Sequence, residues 1–104
     1  YDEFPSGEHV TGYTIVDTDR LVVVLSGVAD PATVNLPTVV GWTSQLIIMG
    51  AGPEVTNIAS NSGQTFNGSA GPYVLPEGSG NDRPAVLLYP NSPSGWWAFR
   101  FGIT

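Results

Sequence analysis

Short apolar runs, separated by polar breaks rich in glycine and proline, follow one another along the chain. Residues 21–25 and 46–49 are apolar at every position, and residues 33–36 alternate between polar and apolar. Runs of four to eight β-prone residues between Gly, Pro, Asn and Ser clusters are typical of strands. No window shows helical periodicity over three turns. The pattern predicts an all-β protein, an antiparallel, jelly-roll-like β-sandwich of about eight short strands without substantial helix.

The strands expected from these runs cover residues 13–16, 21–25, 33–36, 46–49, 55–59, 64–67, 73–76, 84–89 and 96–101. The central stretch, residues 41–68, has no catalytic pattern and is interpreted as scaffold. The uniformly apolar run 21–25 differs from the alternating ones. Both of its faces should be covered, either within a sandwich or at a subunit interface.

The length of 104 residues allows one domain, which removes about two-thirds of the unfolded chain's surface from water. Residues 13–104 are predicted to form that domain. Residues 1–12 hold three of the nine acids and the sole histidine, and we expect them to be a leader or linker from a preceding segment. Because the chain starts with Tyr1, we expect a processed product or a fragment. The absence of cysteine excludes a disulfide framework.

Charge narrows the range of partners. The chain has no lysine, three arginines and a formal net charge of −6. Nucleic-acid binding needs a basic surface that neutralises phosphates, so no nucleic-acid partner is expected. Anionic membrane surfaces are disfavoured for the same reason. Membrane insertion is not expected either, since no apolar run approaches the ~20 residues that span a bilayer.

Catalytic and metal-binding patterns are weak. A Ser-His-Asp triad would need His9, which lies in the predicted leader. The acids fall in loops or the leader, where solvation and turn formation account for them, and no helix follows a glycine-rich phosphate loop. The loops 17–19 and 80–83 carry too few oxygens for a typical calcium site. We therefore predict a non-enzyme with no catalytic residues, no metal and no cofactor.

The order of several short motifs resembles that of one protein family. The motifs are TVNLP at 33–37, Gly41 followed by LIIMG at 46–50, VTNI at 55–58, GQTFNG at 63–68, AVLLY at 85–89, and the tryptophan pair at 96–97. Together they resemble the small β-sandwich modules near the C-termini of bacteriophage tail-fibre, tail-spike and related viral attachment proteins. Two adjacent tryptophans where one is usual, and a glycine-rich turn at 50–53, depart from that pattern.

This resemblance, which covers residues 20–101, implies a virion-surface protein that attaches to a host. It implies a homotrimer at the tip or neck of a fibre, and a cell-surface glycan or protein as the partner. It does not specify the receptor.

Aromatic residues are the main candidates for contact with a ligand. Alternation along the last strand predicts that Trp97, Phe99 and Phe101 form a core stripe and that Trp96 lies on the opposite, outer face. A bulge would exchange the two faces. An exposed tryptophan can stack on a sugar or anchor an interface. For Trp96 we favour packing or trimer contact over ligand contact. The candidate ligand-binding residues are Trp96, Trp42, Tyr73, Tyr89, Asn81 and Asp82.

Two function classes fit the sequence. The first is a non-enzymatic attachment-fibre domain that binds a host glycan, trimerises, or both. The alternative is a carbohydrate-binding module of a secreted enzyme, which an acidic, lysine-free, tryptophan-bearing sandwich also fits. A small glycosidase or lyase domain is the least supported reading, because it needs two carboxylates about 5–10 Å apart in a cleft.

Overall fold

The computed structural model describes residues 2–7, 9, 12–25, 31–77 and 83–102. Of these residues, 49% lie in strands and none in a helix, so the all-β prediction is confirmed. Eleven short strands are present rather than about eight. They are β1 (Asp2–Phe4), β2 (Tyr13–Thr14), β3 (Leu21–Val24), β4 (Ala32–Asn35), β5 (Leu46–Gly50), β6 (Thr56–Ala59), β7 (Thr65–Phe66), β8 (Ser69–Ala70), β9 (Tyr73–Leu75), β10 (Ala85–Asn91) and β11 (Gly95–Phe101).

The strands form two sheets. The seven-stranded sheet has the order β1-β3-β5-β10-β11-β7-β8, and the four-stranded sheet has the order β2-β4-β6-β9. Through the first six strands the chain alternates between the sheets, so that odd-numbered strands enter the large sheet and even-numbered strands the small one. Neighbours contributed in this way run parallel, as in the β1–β3–β5 and β2–β4–β6 ladders.

The prediction of an antiparallel arrangement is therefore wrong for the first half of the chain. Antiparallel pairing occurs where β10 joins β5 and β11, where β6 joins β9, and in the β7–β8 hairpin. The physical reason is the winding of the chain. A strand that returns to the same sheet after crossing to the other one arrives in the same direction as before.

One hydrophobic core cluster draws on residues of both sheets. Along β3, β4, β5 and β6 every second residue is buried, as expected for strands with one face in the interior. Both sheets contribute to a single cluster. Its largest fully buried members are Trp96, Phe4, Ile15, Leu46, Ile48, Ile58, Leu75, Leu88, Val22, Val24, Val34 and Val39.

The N-terminal segment differs from the predicted leader. Strand β1 is the edge strand of the large sheet and pairs with β3, and Phe4 is 1% exposed in the core. The carbonyl of Phe4 also accepts a hydrogen bond from the backbone N–H of Leu25. Phe4 is thus part of the folded core. Strand β8 was not predicted either, because two exposed small residues give no strand pattern.

Among the described residues, no helix has the length and apolar character needed to cross a membrane.

Candidate interaction surface

The last strand presents the opposite faces from those predicted. Trp96 is 1% exposed, whereas Trp97 is 46% exposed and Phe99 is 53% exposed. The register between β10 and β11 is continuous over seven pairs, so no bulge accounts for the exchange. Alternation holds, but Trp96 and Ala98 point inward. Trp96 meets Trp42 there, edge to face, with ring centroids 5.7 Å apart.

The outer face of the large sheet is apolar across its four central strands. On β3, β5, β10 and β11, the residues that alternate with the buried ones lie side by side, because the strands pair in register. We call this set the outer apolar face. Its members are Leu21, Val23, Ile47, Met49, Leu87, Tyr89, Trp97, Phe99 and Phe101. In the same phase of β10, Ala85 is itself buried and Asn91 ends the strand. No charged residue occupies a position in this set. The neighbouring position on the edge strand β1, opposite Val23, is Glu3.

The corresponding face of the small sheet has a different character. The residues that alternate with the buried ones on β2, β4 and β6 are Thr14, Thr33, Asn35, Asn57 and Ala59. This is the usual pattern of a sheet that faces water on one side. The outer face of the large sheet is therefore apolar and that of the small sheet mostly polar. The difference comes from the sequences of the strands themselves.

Four aromatic side chains carry most of the exposed area on the outer apolar face. Tyr89 is 44% exposed and Phe101 43%, close to the values for Trp97 and Phe99. Tyr89 lies opposite Trp97 in the ladder, and its ring meets that of Phe99 edge to face at 6.1 Å. At ~200 Å² for a whole aromatic side chain, the four rings expose about 400 Å² of mostly apolar surface. That equals the largest patch of an ordinary monomer before the half-buried aliphatic residues are added.

A second feature lies where the turn between β2 and β3 meets the segment before β5. Asp17, Arg20, Gly41, Trp42, Thr43 and Ser44 line a recess of about 220 Å³. The Arg20 guanidinium lies 6.0 Å from the centre of the Trp42 ring, at the outer limit of a cation–π contact. Trp42 itself is half-buried and packs against the core cluster.

Hydrogen bonds to a buried carboxylate hold the β2–β3 turn in place. The buried Asp19 carboxylate accepts hydrogen bonds from the Tyr13 hydroxyl (2.5 Å) and from the Val16 backbone N–H (3.0 Å). Burial, and after it the hydrogen bond to Asp19, raises the pKa of the Tyr13 hydroxyl above its usual range. Arg20 Nη1 donates to the carbonyls of Asp17 and Asp19, each at 2.7 Å, which holds the guanidinium beside the recess.

The chain matches no protein-family model, and no curated protein sequence and no solved structure is similar to it. The roles of these surfaces are therefore argued from their geometry.

The structure separates the predicted ligand-binding residues. Tyr89 belongs to the outer apolar face and Trp42 to the recess, whereas Trp96 is buried and cannot contact a ligand, which corrects the prediction for it. Tyr73 is half-buried and packs against the core, with its ring 5.7 Å from that of Phe66. Asn81 and Asp82 lie outside the described residues. Within the described part of the chain, no three His, Cys, Asp or Glu residues come together as a metal site.

Sequence reasoning missed Trp97, Phe99 and Phe101 as surface residues, and Asp17 and Arg20 as recess residues. A signal for the first group was present. The neighbouring strands β3 and β5 are apolar at both phases of the alternation, so an apolar phase alone does not identify the core in this sheet. The recess left no such signal, because its residues come from two turns that are distant in sequence.

Proposed function

We propose that this chain is a non-enzymatic β-sandwich module of a viral attachment fibre, and that it works by associating with copies of itself through the outer apolar face. The observation that carries the proposal is the continuous row of exposed aromatic side chains on β10 and β11. Residues of this kind, desolvated at the centre of an interface, supply most of the binding energy in protein assemblies.

The four aromatic side chains form the centre of such a contact. Their exposed surface of about 400 Å² is half of the ~800 Å² per partner of a standard interface, so the flanking aliphatic residues of the outer apolar face have to be buried as well.

Mass in solution tests this proposal. We expect light scattering to give a multiple of the 10.9 kDa chain mass, three times that value for the trimer that the family resemblance implies. Replacing Trp97 and Phe99 together with serine should yield a folded monomer. Val74→Ser is the matched control, since Val74 is 47% exposed on the small sheet and should leave the mass unchanged. A wild-type monomer at about 100 μM, a concentration far above the Kd of a standard interface, would contradict the proposal.

The same aromatic row favours a second candidate, a carbohydrate-binding module. Tyr89, Trp97 and Phe99 present ring surface on one side of a sheet, where sugar rings can stack. A monomer that binds an insoluble polysaccharide, and loses binding in Trp97→Ala, would favour this candidate. Hydrolysis of a polysaccharide panel above background would contradict the non-enzymatic character shared by both candidates.

A further inference from the structure

The recess at the β2–β3 turn is a built feature of the fold and lies apart from the outer apolar face. Asp17 and Arg20 come from the turn, and Gly41, Trp42, Thr43 and Ser44 from the segment before β5. Its volume of about 220 Å³ is smaller than the ~300–1,000 Å³ of pockets for drug-sized ligands. It suits one small ring with polar substituents.

Hydrogen bonds hold the walls of the recess in place, and one of them is buried. Nη1 of Arg20 is committed to two backbone carbonyls, and the turn that carries it is tied to the core through the buried Asp19. On the other side, the backbone N–H of Trp42 donates to the Val39 carbonyl at 2.9 Å, and Val39 is fully buried. Both walls are therefore preorganised, which lowers the entropy cost of binding.

The functional groups of the recess select for a neutral, polyhydroxylated ligand. Arg20 is a donor only, the Asp17 carboxylate is an acceptor only, and the hydroxyls of Thr43 and Ser44 do both. The carboxylate and the net charge of −6 disfavour an anion, and the guanidinium disfavours a cation. Adjacent sugar hydroxyls, each able to donate and accept, match such a mixed set.

The indole of Trp42 adds a second observation. Its Nε1–H is buried and has no hydrogen-bond partner among the described residues. A buried donor without a partner costs ~1–3 kcal/mol, and a small shift of the indole that let a ligand oxygen accept from it would remove that cost. The aromatic ring also gives the recess its one large apolar wall.

We propose that this recess binds one neutral pyranose residue of a glycan. The inference rests on the proposed attachment function, for which it supplies a receptor-binding site separate from the surface of self-association. Contacts to a single sugar residue predict a dissociation constant in the millimolar range.

Nuclear magnetic resonance of the intact chain tests the site. The indole N–H signal of Trp42, assigned by its disappearance in Trp42→Phe, is followed during titration with the methyl glycosides of glucose, galactose and mannose. N-acetylneuraminic acid serves as the acidic sugar. We expect a saturable shift of the Trp42 signal with at least one neutral glycoside and a smaller shift with the acidic sugar.

Variants separate the recess from other surfaces. Arg20→Gln should weaken binding about tenfold, and Thr43→Val should weaken it as well. Val74→Ser and Arg100→Gln, exposed changes outside the recess, should bind as the wild type does. The mass of each variant is measured in the same samples, so a failed sugar site with an intact oligomer leaves the function of self-association standing.

Three results would overturn the site. The first is the absence of any Trp42 shift at about 50 mM of every neutral glycoside, well above a millimolar dissociation constant. The second is unchanged binding in both Arg20→Gln and Thr43→Val. The third is stronger binding of the acidic sugar than of all the neutral ones, since it would contradict the charge argument.

Discussion

The side chain of Asn67 continues the hydrogen bonding between β7 and β11 beyond the last residue of β7. Its removal should lower the free energy of unfolding by a measurable amount. Asn67 and Gly68 form the two-residue loop between β7 and β8, with φ of 52° and 84°, as a type I′ hairpin requires. Strand β7 pairs with β11 only at Gly95 and Trp96. Beyond these two pairs, the side-chain amide of Asn67 bonds to the backbone of β11. Its Oδ1 accepts from the Ala98 N–H at 2.8 Å, and its Nδ2 donates to the Ala98 carbonyl at 3.1 Å.

The magnitude follows from these two bonds. At ~0.5–1.5 kcal/mol each, they contribute about 1–3 kcal/mol to the free energy of unfolding. Asn67→Gly removes them and keeps the left-handed backbone, at a further cost of ~0.5–1 kcal/mol in chain entropy. Asn67→Ala also removes them and loses the local side-chain hydrogen bonding through which asparagine tolerates the left-handed region, where other L residues cost ~1–2 kcal/mol.

Urea unfolding followed by tryptophan fluorescence measures the effect, because Trp96 passes from the core to water. The matched control is Asn61→Gly, the same exchange in a neighbouring exposed turn where φ is not positive. It isolates the entropy of the added glycine. If Asn67→Gly and Asn61→Gly lower the free energy of unfolding by the same amount, within about 0.5 kcal/mol, the amide bridge contributes nothing and the reasoning is wrong.

Three further changes test other parts of the structure. Gly95→Ala should prevent stable folding, because Gly95 has φ of 153° and a Cβ there would overlap the backbone of β7, as a loss of the cooperative urea transition would reveal. Trp96→Ala should cost ~3–5 kcal/mol of unfolding free energy and Trp97→Ala, measured on the monomer, below about 1 kcal/mol; equal losses would contradict the assigned faces. Because burial and then hydrogen bonding raise the pKa of Tyr13, the folded state keeps its proton longer. Stability should therefore fall as pH rises above about 10, and Tyr13→Phe should lack this slope in urea titrations.

Most strand positions were predictable from the sequence, because runs such as 46–49 and 85–89 are bounded by clear turn residues. Strand direction was not. The pattern of residues within a strand is the same whether its neighbour runs parallel or antiparallel, so the winding of β1 to β6 between two sheets leaves no local trace. The edge strand β1 was missed for a related reason, since Asp2 and Glu3 are acidic and only Phe4 enters the core.

The faces of β11 show why an alternating pattern was misleading at the functional surface. Assigning the bulkiest stripe to the core assumes that one face of the sheet meets water. On β3 and β5 both phases are apolar, so the assumption fails there. On β11 the charged Arg100 shares the phase of Trp96, which made that phase resemble the outer one, although Trp96 is buried. Trp96 packs there against Trp42, a residue from a turn 54 positions earlier. A contact between residues so far apart in the sequence cannot be detected in a short sequence window.

The two outer faces make association with another surface the natural consequence of this fold. The small sheet carries mainly threonine and asparagine outward, with Val74 as its exposed large apolar residue, as is usual for sheets that face water on one side. The large sheet carries leucine, isoleucine and four aromatic residues outward, a composition that elsewhere is found on strands buried on both faces. The uniformly apolar strand β3 already indicated covering on both sides, and among the described residues its outward side chains are only partly covered. Under the proposed self-association a second copy would supply the rest of that cover, with a surface of the same size and character.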